Sequence, residues 1–120
     1  MKKSNYRTGH FAEKIALLLL LLKGYWPGAI NYMTGRGTGA SEVDLIVKRG
    51  KMLIFVEVKK RQNITTSAEA ITHKVQKRIA RAAEVFLANN PTYHNYQIRF
   101  DAILFEKNFY PHHIKSAWYS

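Results

Sequence analysis

The segment from Glu42 to Lys60, E-V-D-L-I-V-K-R-G-K-M-L-I-F-V-E-V-K-K, constrains the fold more than any other part of the chain. From Glu42 to Val47, the side chains Val43, Leu45 and Val47 alternate with Glu42, Asp44 and Ile46. Leu53 to Lys59 repeats that two-residue period, so the segment reads as two strands of a hairpin. A two-residue II′ turn at Gly50-Lys51, with glycine first, pairs Val47 with Ile54, Leu45 with Val56 and Asp44 with Glu57. A turn at Arg49-Gly50 shifts the register by two and leaves Asp44 diagonal to Glu57 on the same face. A three-residue loop puts the two acids on opposite faces.

A carboxylate inside an apolar strand is costly to bury, and a second one a few ångströms away raises that cost, so something cationic has to compensate. Lys59 lies two residues beyond Glu57 on the same strand face. A divalent cation bound through oxygen, Mg²⁺ or Mn²⁺, is the other compensating charge the pattern suits. Phosphodiester hydrolysis needs such a cation to stabilise charge on the phosphate and to lower the pKa of an attacking water, plus a group that positions the water. Asp44 and Glu57 are the candidate ligands, the main-chain carbonyl of Val58 a further one, and Lys59 the positioning charge. The plainer alternative is a buried structural ion-pair network. Glu42 faces Lys59 in the II′ register, where a structural salt bridge explains it as well as an accessory catalytic role does.

Gly9 to Lys23 is leucine-rich and free of proline, with Gly24 placed for a left-handed C-cap, and reads as a helix. Its apolar run, Ile15 to Leu22, is shorter than the ~20 residues a bilayer span needs and is followed by no small-residue cleavage site, so a buried helix explains it and no membrane association is expected. Ala29 to Met33 is a short candidate strand, and Thr34 to Ser41 a glycine-rich loop. Thr66 to Glu69 has capping-box spacing and Thr72 is a second candidate N-cap. Either leads into a helix running to about Ala88, where Asn89-Asn90-Pro91 stops it. Val75, Ile79, Ala82, Ala83, Phe86 and Leu87 form its apolar stripe. Lys74, Lys77, Arg78 and Arg81 fall in one row without an acid among them, suited to lying along a phosphate backbone, although such rows are more often solvated faces. Tyr96 to Glu106 reads as a third long strand, in which Arg99 and Asp101 read as an ion pair supporting the core, and Ile114 to Tyr119 as a short edge strand. Helix, strands, helix, strand is the order of a mixed α/β sheet covered by helices.

With 120 residues and 47% hydrophobic content the chain is sized for a single domain spanning residues 1–120. Cysteine is absent, which excludes disulfides and thiolate metal sites and suits a reducing cytoplasm. Nineteen Lys and Arg against eight acids, a formal net charge of +11, attract polyanions and make nucleic acid the leading partner. Neighbouring His112 and His113 point to opposite faces of a strand and do not make a two-imidazole metal site. Tyr25, Trp26, Tyr93, Tyr96, Tyr110 and Trp118 are suited to stacking on unpaired bases, though core packing is their commoner use.

The D-L-I-V segment at Asp44 followed by F-V-E-V-K at Phe55 to Lys59 resembles the D…E-x-K signature of the PD-(D/E)XK nuclease superfamily. The chain as a whole resembles the YraN-like family of small bacterial proteins. The matching pieces are G-H-F-A-E-K-I-A at Gly9 to Ala16, E-V-D-L-I at Glu42 to Ile46, F-V-E-V-K-K-R at Phe55 to Arg61, I-T-H-K-V-Q-K-R-I at Ile71 to Ile79 and R-F-D-A at Arg99 to Ala102. The resemblance implies a restriction-endonuclease-like α/β/α fold similar to archaeal Holliday-junction resolvases, with Glu13 as a third acidic member of the site. By analogy it implies a homodimer acting on DNA, branched DNA included. One departure is Ser41, which stands where the family usually has glycine. Metal-dependent endonuclease is thus the expected function, and a nucleic-acid-binding module with the same fold and no hydrolysis is the alternative.

Overall fold

The computed structural model describes residues 2–33, 42–60, 71–106 and 110–119. Thr34 to Ser41 and the Thr66 to Glu69 capping box lie outside them. In chain order the elements are helix α1 (Lys2–Leu22), strands β1 (Trp26–Met33), β2 (Glu42–Arg49) and β3 (Met52–Lys60), helix α2 (His73–Asn89), a 3-10 turn (Pro91–Tyr93), and strands β4 (Gln97–Phe105) and β5 (Pro111–Trp118). The strands form one sheet in the order β1-β2-β3-β4-β5. Only β3 and β4 run parallel, with α2 in the crossover between them, and the other neighbours are antiparallel.

Alternation along β3 divides the core between two helices. Leu53 and Phe55 join Ile79, Ala82, Ala83 and Phe86 of α2 on one face. Ile54 and Val56 join Ala12, Ala16 and Leu20 of α1 on the other. The sheet is therefore sandwiched between two helices as a three-layer α/β/α unit with a mixed sheet, as the sequence pattern predicts. On the α2 side the aromatic rings form a continuous contact chain, with Phe55 stacked on Phe100 and Phe100 on Trp118.

The ends of the elements follow local chemistry. Gly24, at φ +94°, closes α1 with the paired bonds Tyr25 N–H to Leu20 C=O and Gly24 N–H to Leu21 C=O, the Schellman arrangement of a left-handed cap. Gly50, at φ +61°, is the only residue of the hairpin turn with positive φ, as a II′ turn with glycine first requires. Thr72 caps α2 by accepting from Val75 N–H. Three starts differ from the sequence expectation. α1 begins at Lys2 rather than Gly9, β1 at Trp26 rather than Ala29, and β5 at Pro111 rather than Ile114. The strand prolines are tolerated because β1 and β5 are the sheet's edges, where a missing N–H removes no needed ladder bond, and a register shift between Pro27 and Ala29 absorbs the extra residue in β1.

The Arg99–Asp101 pair has the structural role expected of it. Asp101, fully buried, accepts two 2.8 Å bonds from Arg99, one from His113 Nε2 at 2.8 Å and one from Ser116 N–H at 3.0 Å. Burial pushes the Asp101 carboxyl up, but the bonds from His113, Arg99 and Ser116 outweigh it and hold the group below its ordinary range. Arg99 also donates to Tyr25 Oη at 2.8 Å, tying the end of α1 to β4. His112 instead pairs with Glu106 at 2.7 Å, so the two histidines serve different partners. Asp101→Ala is expected to cost ~3–5 kcal/mol, because it leaves Arg99 without its counter-charge; urea melts at neutral pH check this.

Candidate active site where the β2–β3 hairpin opens

From the turn, the hairpin ladder runs Arg49↔Met52, Lys48↔Leu53, Val47↔Ile54, Ile46↔Phe55 and Leu45↔Val56. This is the II′ register, and its next rung would be Asp44 with Glu57. The ladder stops one residue short of it. There Val58 N–H donates 2.8 Å to the Asp44 side chain, through Oδ2, in place of a backbone acceptor. Beyond this point Val43 and Glu42 remain paired with Tyr32 and Met33 of β1. The strands part where the two acids stand, and a side-chain carboxylate occupies the gap.

Both acids are nearly closed off from solvent, Asp44 at 8% and Glu57 at 5% exposure. Glu13 of α1 and Glu57 both lie beside Asp44, close enough for their carboxyl groups to share protons with it. Burial, and next the Asp44 charge, push the Glu57 carboxyl up to about 8, against the pull of Arg78 and Lys59. Burial raises the Asp44 carboxyl as well, and the Val58 N–H bond, the neighbouring carboxyls and Arg78 offset only part of that rise. Both carboxyls are thus held above their ordinary range, and the Val58 N–H bond favours the charge on Asp44.

Glu57 has one oxygen engaged and one not. Oε2 lies 3.5 Å from Arg78 Nη2, a long ion pair, while Oε1 is buried with no hydrogen-bond partner. A buried carboxyl oxygen without a donor, next to a second carboxyl group, is a position suited to a proton or a cation. Lys59 is half-buried on the same strand and acts on Glu57 through its charge.

These oxygen donors suit a hard divalent ion. Among the described residues no group of three or more His, Asp or Glu side chains forms a metal cage by itself. Asp44 and Glu57 would thus supply two ligands and water the rest, as Mg²⁺ commonly allows. The Val58 carbonyl suits a further position. Its N–H is directed at Asp44, and the N–H and C=O of one strand residue face the same neighbour.

The remaining predicted residues divide. Lys74, Lys77 and Arg81 are exposed along α2, as a binding row requires. Arg78 leaves that row and turns to Glu57, which the sequence reading missed. Its position did carry a signal, since it lies three residues after Val75 and four before Ala82, at the margin of the buried stripe. Glu42 sits outside the cluster. Because the ladder ends at Leu45↔Val56, the Glu42–Lys59 rung does not form, and among the described residues no ion pair joins those two.

Comparison with known proteins agrees with the resemblance drawn from the motifs. The model of "Uncharacterised protein family UPF0102" matches residues 12–105. A UPF0102 protein of Paramagnetospirillum magneticum is 44% identical over 112 residues, covering 93% of this chain and 87% of its own length. One from Parvibaculum lavamentivorans is 41% identical over 113 residues, covering 94% and 82%. Another, from Methylobacterium nodulans, is 37% identical over 117 residues, covering 98% and 88%. With the family model spanning the core from α1 to β4 and relatives aligned over nearly the full chain, this protein belongs to the UPF0102 family.

Proposed function

We propose that this protein hydrolyses nucleic-acid phosphodiester bonds in a divalent-metal-dependent reaction of the PD-(D/E)XK type. The observation that carries the reading is the pair of buried acids where the hairpin opens, with Glu57 Oε1 unsatisfied and Lys59 beside it. Bound there, Mg²⁺ or Mn²⁺ would supply charge stabilisation for the phosphate and a lowered pKa for the attacking water. Asp44, oriented by Val58 N–H, holds its carboxyl group toward the gap. Glu57 would serve as the second ligand once its proton has left to solvent. The Lys59 ammonium orients the water and meets charge developing on the phosphate. Glu13, beside Asp44, steadies that carboxylate from the α1 side. Arg78 holds Glu57 from α2, and the exposed Lys74, Lys77 and Arg81 carry the backbone toward the site on a chain of net charge +11.

One observation favours a second reading, a nucleic-acid-binding module without hydrolysis. Arg78 already gives Glu57 a cation, at 3.5 Å. Incubation with plasmid, single-stranded DNA and a four-way junction separates the two. Cleavage that needs Mn²⁺ and stops in EDTA supports the hydrolase, and binding without cleavage in either condition supports the module.

The basic row makes its own prediction. Replacing Lys74, Lys77 and Arg81 together by alanine is expected to weaken binding to all sequences alike and to flatten the plot of log affinity against log salt by about 2–3 units. Fluorescence anisotropy in EDTA over a salt series measures both.

A further inference from the structure

On the flank of α2 away from Arg78, a cleft of about 300 Å³ is lined by His73, Gln76, Lys77, Ala80, Trp118 and Tyr119. The helical repeat puts His73, Gln76 and Ala80 on one side of the buried stripe and Arg78 on the other, with Lys74, Lys77 and Arg81 on the exposed crest between them. Cleft and carboxylates therefore lie on either side of one cationic ridge, about a helix diameter of ~10–12 Å apart.

The cleft is chemically specific. Trp118 is 6% exposed and stacked on Phe100, and its indole N–H is buried with no hydrogen-bond partner. Buried indole N–H groups ordinarily find an acceptor, and one left without is costly. Gln76 donates through Nε2 to Ile71 C=O at 3.1 Å, which leaves its amide Oε1 as an acceptor on the opposite edge. Tyr119, at 85% exposure, presents an unused ring at the mouth, and Lys77 brings a positive charge to the rim. A planar ligand with both an acceptor and a donor along its edge, attached to an anion, fits this set.

We infer that the cleft receives an unpaired nucleobase of the same polynucleotide whose backbone crosses α2 to the carboxylates. The inference rests on the phosphodiesterase reading for the identity of that polymer. The base stacks against Tyr119, accepts from Trp118 Nε1–H and donates to Gln76 Oε1, while Lys77 meets the adjoining phosphate. A base paired within a duplex has no face to offer such a slot, so the substrate class is nucleic acid with a single-stranded segment beside the scissile bond.

Anisotropy titrations in EDTA with a labelled single-stranded DNA, the RNA of the same sequence and the blunt DNA duplex test this without any hydrolysis. Tyr119→Ala, which alters an exposed ring, and Ala80→Leu, which fills the cleft from a helix position leucine favours, are each expected to weaken single-strand binding about tenfold and to leave duplex binding within about twofold. DNA and RNA arms show which polymer the slot prefers. Trp118→Phe keeps the stacked ring and removes the N–H, and is expected to reproduce the same selective loss. Equal losses on single strand and duplex, or no loss on either, overturn the inference. Because the titrations are run in EDTA, a protein that fails to cleave leaves this test standing on its own.

Discussion

Asp44→Asn is expected to lower Mn²⁺-dependent cleavage by about 10³-fold or more, and Lys59→Met by about 10²–10³-fold, with both proteins folded and still bound to nucleic acid. The two losses have different origins. Asp44, held by Val58 N–H, is a ligand in the proposed reaction, so its replacement is expected to remove an anchor of the ion that excess metal does not restore. In the proposed reaction Lys59 acts through its charge, so its loss is expected to lower the rate and leave metal affinity nearly intact. Initial rates on a labelled substrate across a Mn²⁺ series separate these patterns. A Lys59→Met enzyme that regains full rate in excess metal contradicts the role given to the lysine.

Raising the pH from mildly acidic to alkaline is expected to destabilise the metal-depleted protein, and Glu57→Gln to remove most of that loss. The carboxyl of Glu57 is pushed from an ordinary 4.5 up to about 8 in the folded chain. Between those values the folded state holds more protons than the unfolded state, so stability falls as pH rises through the window and levels off above it. The same interval sets an upper limit of order 3–5 kcal/mol, part of it shared with Asp44. Asp101 works in the opposite sense. Its depressed pKa contributes stability above the ordinary carboxylate range that is lost only in acid, well below the Glu57 window. Thermal melts in EDTA should show Glu57→Gln matching wild type in mild acid and exceeding it by more than about 5 °C in mild alkali. Mg²⁺ should raise the wild-type melting temperature most in alkali, where no proton has to leave.

Much of the fold was legible because its determinants are local. Gly50 before Lys51 fits a II′ turn, and that turn sets a register carrying Leu45 and Val47 to one face and the acids to the open end. The stripe of Ile79, Ala82, Ala83 and Phe86 defines the side of α2 that is buried. Less legible were features decided by neighbours distant in sequence. Pro27 and Gly28 lay outside the expected strand, and β1 runs through them because it is an edge strand with a bulge. Arg78 looks like one more surface cation until Glu57 lies under it. Nothing in the hairpin pattern told that the ladder stops after Leu45↔Val56, because the cause is a side chain taking the Val58 N–H. Trp118 carried two expectations, base stacking and the commoner core packing, and its unsatisfied N–H exists only once β5 packs beside α2.

Calorimetric titration of Mn²⁺ into the protein near pH 7, repeated in buffers of different ionisation enthalpy, addresses the coupling of acid, proton and ion at the parted strands. Binding that releases about one proton per ion, fades in proton yield above the Glu57 window and disappears in Asp44→Asn is the predicted result. Mn²⁺ that binds without expelling a proton, or binds Asp44→Asn as well as wild type, would contradict it.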